Sequence, residues 1–544
     1  MNLNIKNNIE IILYKFFKLI LVVILRRNGD VLPLYLLRKF DKNLVDNFAK
    51  DINAINIPVI IITGTNGKTT TTNLIASCFN NAGNRVCSNV NGANMTNGIF
   101  GSILGCYSFN GKFNADIIVI ETDEKVFPYV ISKINPDVIV ITNFYRDQLD
   151  RYGEVNTTML NIKNSIKSLK TYPVLILPSN EPLASFIGFN TKNKKLYFNF
   201  KSIKKLSDKL DNNDNAEVFD VSVKKNSGNI AFTDAVSCPQ CGSILSAEFN
   251  DKYAIINYYC NSCGYKSNMP DIEAEILEDD YLNFSFNNTE EFVSKMKSNN
   301  ISDKQNNINK SYYSNYSNNS IGVGANDVNC KNNCDIHNIN TSNHIINNIN
   351  KNFSFKPSIQ GYYNILNYMA AFLALKYYGL NDEIIKISFE NYFTKFGRSF
   401  KKTFKGVECN VDLVKNPSGF NNVLEKIFEK NDYINALFVF SDRDADGRDV
   451  SWIWDVNFEK YVDKFNNIII TGLRPYDMAI RLKTAGINAE KIKVNYNAGK
   501  AFYEIINISD NNANNDNVTD DKKLNKVYIF STYTELSNLE NIIV

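Results

Sequence analysis

The chain has 544 residues, 44% of them hydrophobic, and 60 Lys and Arg against 57 Asp and Glu leave a net charge of +3. That length exceeds one ordinary core and predicts roughly three folded units, while a charge so near neutral excludes the electrostatic footprint of a protein that grips DNA or RNA, so no nucleic-acid partner is expected. Ten cysteines, four of them in two Cys-x-x-Cys pairs, suit a reducing compartment and a metal rather than a disulfide framework, which points to the cytoplasm.

Residues 1–55 read as an apolar, basic N-terminal segment. The stretch from Ile9 to Arg27 is broken by Glu10, Lys15 and Lys18. Its uninterrupted part, Leu19 to Leu25, is too short to span a bilayer, and no small-residue cleavage site follows, so a signal peptide is not expected. Two readings stand: a helix packed on the protein, or a helix making a peripheral contact with the inner face of the plasma membrane.

From Pro58 to Ile141 short β-rich runs alternate with helical stretches: Val59 to Ile62, Thr71 to Asn80, Ile117 to Ile120, Val126 to Ile134 and Val138 to Ile141. This pattern predicts a parallel, doubly wound α/β sheet whose ligand site lies at the carboxyl ends of the strands. There stands Thr63-Gly64-Thr65-Asn66-Gly67-Lys68-Thr69-Thr70, between the apolar run Ile57 to Ile62 and the predicted helix. Gly64 and Gly67 let the backbone turn its amides onto phosphate oxygens, Lys68 supplies a point charge, and the Thr69 hydroxyl can ligate magnesium. Glu121 closes the next strand, where a magnesium ligand is needed; the competing reading is a solvated acidic loop of Glu121, Asp123 and Glu124. The run Thr142 to Gly153 crowds further polar groups onto the same edge.

Cys238-Pro-Gln-Cys241 and Cys260-Asn-Ser-Cys263 are separated by 18 residues, the spacing of a zinc ribbon, and Gly242 and Gly264 permit the tight turns. The closed four-thiolate set implies a structural Zn2+ in a ribbon at about 230–270. Residues 285–355, dominated by Asn with Ser, Lys and Ile, predict a disordered insertion, and Ser509 to Lys523 a shorter one. Cys330, Cys334, His337 and His344 imitate a metal site but fall in the first of these. The two histidines are the only ones in the chain, so neither folded domain has an imidazole for general-base chemistry.

Helical pattern resumes at Gly361 to Tyr378. A second α/β unit starts near Phe400, with strands predicted at Ala436 to Phe440, Asn467 to Thr471 and Val527 to Ser531. Two polar runs stand out in it, Asp412 to Asn421 and Ser441 to Asp455. The second holds Asp446, Asp449 and both tryptophans, Trp452 and Trp454, and its carboxylate order does not match a calcium-binding EF-hand loop.

Gly64 to Thr70, Glu121, Thr142 to Gly153, Gly361-Tyr-Tyr-Asn364-Ile-Leu-Asn367 and Gly397-Arg398 together resemble the Mur ligases, ATP-dependent amide ligases of peptidoglycan synthesis. The ribbon, Lys415-Asn-Pro-Ser-Gly and Asp446-Gly-Arg-Asp449-Val-Ser-Trp narrow the resemblance to the MurT family, the ligase-like subunit of a glutamine-hydrolysing lipid II isoglutaminyl synthase. It implies a central Mur-ligase ATPase domain over 56–398 with the inserted ribbon, followed by a smaller α/β domain over 399–544. It further implies ATP and Mg2+ bound by Gly64, Thr65, Asn66, Gly67, Lys68, Thr69 and Thr70, with Thr69 and Glu121 holding the metal, Asn364 and Asn367 near the base, and Arg398 and Asp412 as nucleotide contacts. Lys68 and Glu121 would serve the phosphoryl transfer, lipid II would be the substrate, and Asp449 would complete the triad of a GatD-type glutaminase partner in a heterodimer. The amino-acid-adding Mur enzymes have a metal-binding His where this chain has Gln148, a departure that leaves their second metal unsupported here. The rival readings are an amino-acid-adding Mur or folylpolyglutamate-type ligase, and a zinc-ribbon binding module regulated by nucleotide.

Overall fold

In the computed structural model of the chain the described residues are 5–24, 31–89, 93–145, 155–203, 218–220, 237–249, 255–277, 281–296, 351–359, 361–392, 399–429, 431–443, 446–513, 525–536 and 539. They fall into two compact units, one of Met1–Phe144 and Asn156–Phe393, the other of Tyr145–Val155 and Thr394–Val544.

The first unit opens with three helices, α1 (Ile5–Leu19), α2 (Leu32–Phe40) and α3 (Leu44–Ile55). Among the described residues no helix is long and apolar enough to cross a membrane. Then follow β1 (Val59–Thr63), α4 (Lys68–Asn81), β2 (Val86–Ser88), α5 (Thr96–Gly105), β3 (Ile117–Glu121), α6 (Phe127–Lys133), β4 (Val138–Ile141), β5 (Val174–Pro178) and β6 (Lys195–Ile203). Strands β7 (Val218–Asp220), β8 (Ser246–Phe249) and β9 (Ile255–Tyr259) form a small antiparallel sheet, and β10 (Ile272–Ile276), β11 (Leu282–Phe286) and β12 (Asn352–Phe355) return to the main one. The main sheet has nine strands in the order β12-β11-β10-β6-β5-β4-β1-β3-β2. All pairings from β2 across to β10 are parallel, while β11 runs antiparallel to both of its neighbours. The parallel winding expected from 58–141 therefore holds, and the sheet becomes mixed at its far edge.

Strands β1, β3, β4 and β5 are buried at every position. Their near-continuous Val and Ile runs are what a parallel sheet covered on both faces requires. On one face α4 packs against the helix Tyr362–Tyr377, so that Leu74, Ile75 and Phe79 share a core with Ile60, Ile62 and Phe372.

Disorder over the whole of 285–355 is corrected at both ends: β11, the helix Thr289–Met296 and β12 are ordered. Phe353 and Phe355 alternate with exposed residues along β12 and pack edge-on or tilted against Phe284, Phe372 and Phe389. Two aromatics at the strand period supply the buried area that the Asn-rich composition hides. Cys330, Cys334, His337 and His344 lie outside the described residues. The second Asn-rich stretch is likewise corrected at its start, because the helix Ala498–Ala513 runs through Ser509, whose buried hydroxyl accepts from Asn435 Nδ2 at 2.9 Å.

The second unit holds β13 (Ser399–Phe404), β14 (Val407–Leu413), β15 (Ile434–Phe440), β16 (Phe465–Gly472), β17 (Ile492–Val494) and β18 (Lys526–Ser531). Their order is β13-β14-β18-β15-β16-β17, parallel except for the β13–β14 hairpin. Its two-residue turn, Lys405-Gly406, takes φ of +48° and +83°, the left-handed pair that matches strand twist. Each face of this sheet has its own core, one around Phe420, Phe438 and Phe530, the other around Leu437, Ile505 and Ile529.

Candidate active site

β1 ends at Thr63 and α4 begins at Lys68, so Gly64 to Gly67 make the whole turn and Thr69 and Thr70 stand in the helix's first turn. Gly64 and Gly67 take φ of +125° and +87°. Each also faces a wall: a Cβ on Gly64 would lie 2.3 Å from Thr142 Oγ1 and 2.8 Å from Asn143 O, and one on Gly67 would lie 2.0 Å from Asn367 Oδ1. Only glycine fits either position. Asn143, just past β4, fastens the loop: Thr65 N donates to its carbonyl at 2.9 Å, Asn66 N to its Oδ1 at 2.8 Å, and its Nδ2 returns a bond to Asn66 O at 3.1 Å. Lys68 is only 6% exposed and folds back, its Nζ donating to Gly64 O at 2.5 Å, Thr65 O at 3.1 Å and Glu124 Oε2 at 3.2 Å. A turn flanked by two glycines at a helix N-terminus, with an adjacent ammonium, fits the phosphates of a nucleotide.

The register sets Glu121 of β3 beside Ile62 of β1, two residues before Gly64. Glu121 is 1% exposed, and Asp123 and Glu124 are buried with it, which overturns the solvated-loop reading. Asn89 clamps the Glu121 backbone from both sides, donating Nδ2 to its carbonyl at 2.8 Å and accepting its amide at 3.0 Å. Buried carboxylates beside a phosphate loop are hard oxygen donors that could hold Mg2+ with the Thr69 hydroxyl. Sequence reasoning left Glu124, Asn89 and Asn143 without roles. Asn143 stood in a run noted for its polarity, but its partner lies 77 residues away.

Asn367 lies early in the helix Tyr362–Tyr377, with Oδ1 3.3 Å from Thr71 Oγ1 and Nδ2 3.3 Å from Asn364 Oδ1. The structure thus sets it against the floor of the phosphate loop. Arg146 to Gly153, Gly397 and Arg398 lie outside the described residues, and Asp412 is half-buried on β14 of the second unit.

The four predicted cysteines converge. Their sulfurs all lie within 4.8 Å of one another, with Cys238 to Cys263 at 3.6 Å and Cys241 to Cys260 at 3.5 Å. Tetrahedral zinc at about 2.3 Å from each thiolate requires edges of about 3.8 Å, so the donor set fits that ion. Both knuckles close alike: Gly242 N donates to Cys238 O and Gly264 N to Cys260 O, each at 2.9 Å, with the glycines at φ of +79° and +75°. In the thiol state burial pushes Cys238 up to about 12, whereas hydrogen bonds from Ser243 bring Cys241 down to about 6. The ribbon is seated on the helix Pro182–Gly188 through Tyr265 Oη to Pro182 O at 2.7 Å and the edge of Tyr265 against Phe186.

In the second unit the loop after β15 is held by Asp446, which accepts Thr534 N at 2.8 Å and the Thr534 hydroxyl. Asp449 is half-buried, and its Oδ1 accepts the Ser451 amide at 2.8 Å, opening the short helix Ser451–Asp455. Asn416 caps the helix Pro417–Phe428 by accepting Gly419 N at 2.8 Å.

A phosphate loop on a large, mostly parallel sheet, followed by a separate α/β unit, is the architecture of the Mur-type ATP-dependent ligases. Solved structures agree on the fold: a pseudomurein peptide ligase type C from Methanothermus fervidus has a TM-score of 0.57 at 17% identity over 94% of this chain and 84% of that one, and MurF from Acinetobacter baumannii has 0.53 at 12% over 92% and 79%. Residues 62–240 match the Mur ligase middle domain and residues 413–536 the MurT ligase C-terminal domain. The lipid II isoglutaminyl synthase (glutamine-hydrolyzing) subunit MurT of Streptococcus pneumoniae is 28% identical over 95% of this chain and 92% of its own length, and that of Staphylococcus aureus 29% identical over 85% and 84%. The chain is thus similar to the MurT subunits over most of its length and carries a Mur ligase middle domain and a MurT-type C-terminal domain.

Proposed function

We propose that the chain is the ligase subunit that amidates the α-carboxyl of D-glutamate in the lipid II stem peptide, giving D-isoglutamine. The carboxylate oxygen attacks the γ-phosphorus of ATP and ADP leaves. Ammonia then attacks the acyl carbon, phosphate leaves with the bonding pair, and the nitrogen loses a proton. Lys68 and the amides of Gly64 to Thr70 neutralise charge spreading over the transferred phosphoryl group. Thr69 and Glu121 would hold Mg2+, which supplies further charge neutralisation when bound. Asn364, Asn367, Arg398 and Asp412 are proposed to contact the nucleotide. Zn2+ on Cys238, Cys241, Cys260 and Cys263 would be structural.

The ammonia would come from a GatD-type glutaminase subunit. The relatives' description as glutamine-hydrolysing and as a subunit supports a second chain, and the confinement of both histidines to 337 and 344 supports it further, since the Cys-His type of glutaminase chemistry needs an imidazole base. Asp449 is proposed to join that partner's Cys and His.

The observation that carries the reading is the buried Lys68–Glu124 ion pair, with Glu121 buried on the strand next to the phosphate loop, in a chain whose C-terminal unit is of MurT type. Its test is ADP release by the purified two-chain enzyme with lipid II. Release that depends on ammonia or glutamine, with an amidated stem by mass spectrometry, supports the proposal; release that needs a free amino acid overturns it. Lys68→Ala should abolish release from either nitrogen source.

A further inference from the structure

The N-terminal helices carry a surface that the nucleotide site does not use. α1 is apolar on two sides. Ile11 and Tyr14 are fully buried, and the helix packs on α2 and α5 through that side. Ile9, Ile12, Leu13, Phe16 and Leu19, spaced by three and four residues, form a second stripe, and Phe16 and Leu19 are 56% and 59% exposed. Val22 and Val23 continue it beyond the end of α1, and Leu32, Tyr35 and Phe40 of α2 are exposed as well. Of the thirty large hydrophobic residues exposed among the described residues, eleven fall between positions 9 and 40. Scattered exposed apolar residues need no explanation, but a concentration of this kind marks a contact surface.

Charge identifies what the surface meets. The first 42 residues hold eight Lys and Arg against three Asp and Glu, a net +5, so the remaining chain must carry −2 to give the total of +3. Of those three acids Glu10 is buried. Lys15 is half-buried beside the stripe, with Nζ 4.7 Å from the ring centroid of Phe109, itself an exposed aromatic.

We infer that this face docks on an anionic lipid surface, with α1 lying in the interface plane, its 9-12-13-16-19 stripe among the acyl chains and its basic groups at headgroup level. The choice of lipid over an acidic protein groove rests in part on the proposed function, since a lipid-linked peptide must be met at a membrane surface.

The test is flotation of the full chain with vesicles free of lipid II, made either of phosphatidylcholine alone or of equal parts phosphatidylcholine and phosphatidylglycerol. The chain should bind the mixed vesicles, bind the neutral ones weakly, and dissociate as salt screens the headgroups. Phe16→Asp with Leu19→Asp should weaken partitioning at least about tenfold. Both side chains are exposed, so the melting temperature should not change. If that variant fails to fold, Phe16→Trp gives a second reading: added fluorescence quenched by brominated acyl chains supports docking. Absence of wild-type binding to the mixed vesicles, or equal binding by the Asp variant, overturns the inference. Loss of glutaminase co-purification in the Asp variant with vesicle binding intact makes the stripe a subunit contact and also overturns it. Vesicle binding with no lipid II amidation would leave docking standing and sink the proposed function.

Discussion

Gly67→Ala, alone and with Asn367→Ala, separates the two constraints acting on the phosphate loop. Gly67 is at φ +87°, and holding an L-residue in the left-handed region costs roughly 1–2 kcal/mol. The new methyl would also stand 2.0 Å from Asn367 Oδ1, so the asparagine must leave its rotamer and lose its 3.3 Å contacts to Thr71 and Asn364. An off-rotamer side chain costs about 0.5–1.5 kcal/mol and a lost hydrogen bond a similar amount. The free loop would relax away from this strain and spend about 2–5 kcal/mol to regain the phosphate-binding conformation, so the single substitution should raise the Kd for ATP by roughly 30- to 4,000-fold, at about 1.4 kcal/mol per decade. Removing the Asn367 side chain as well should recover about tenfold or more relative to Gly67→Ala, leaving the left-handed penalty in place. Titration calorimetry of the four proteins of the cycle reads the coupling directly. Strictly additive losses would refute the idea that Asn367 is the wall that excludes a side chain at position 67.

Zinc analysis should find about one ion per chain, and Cys260→Ser should lose it and lower the melting temperature, because the ribbon's seat on Pro182–Gly188 depends on a folded knuckle. Asp449→Asn should abolish glutamine-dependent amidation while sparing ammonia-dependent amidation, and equal loss of both would reject the triad role. Lys163 is buried with Nζ donating to Phe189 O at 2.6 Å, and burial, then Lys167 and Lys195, lower its pKa to about 7. Between that value and the ordinary lysine range near 10.4 the unfolded chain binds more protons than the folded one, so this group's contribution to stability rises with pH through the window. The melting temperature of wild type minus that of Lys163→Met should accordingly climb from pH 7 to pH 9; a flat difference would show that Lys163 stays protonated.

The parts of the site legible in the sequence were those written locally. β1, β3 and β4 appear as short Val and Ile runs because helices bury both their faces, and Gly64 to Thr70 appears because the turn, the ammonium and the helix start are consecutive. The two cysteine knuckles, which also announce themselves by spacing, converge in space as a ribbon requires. Expected disorder failed where tertiary partners override composition. Phe353 and Phe355 draw an Asn-rich flank into the sheet, and Ser509 is held by Asn435 from 74 residues away.

The asparagines show why the remainder of the site was hidden. Asn89 and Asn143 read as ordinary polar residues in a chain rich in them, and Asn367 is marked only by the family resemblance, yet each is buried and closes a different side of the phosphate loop or its acidic neighbour. Their partners are 32, 77 and 296 residues distant for Glu121, Asn66 and Thr71. A neutral amide can both donate and accept, so it satisfies loop backbone without adding charge to a site that already holds Lys68, Glu121 and Glu124. An aspartate in place of Asn143 would keep the acceptor for Asn66 N but set a carboxylate against Asn66 O and lose the donor. The choice of Asn over Asp at such walls therefore follows from the hydrogen-bond directions the loop imposes, information that only the folded chain contains.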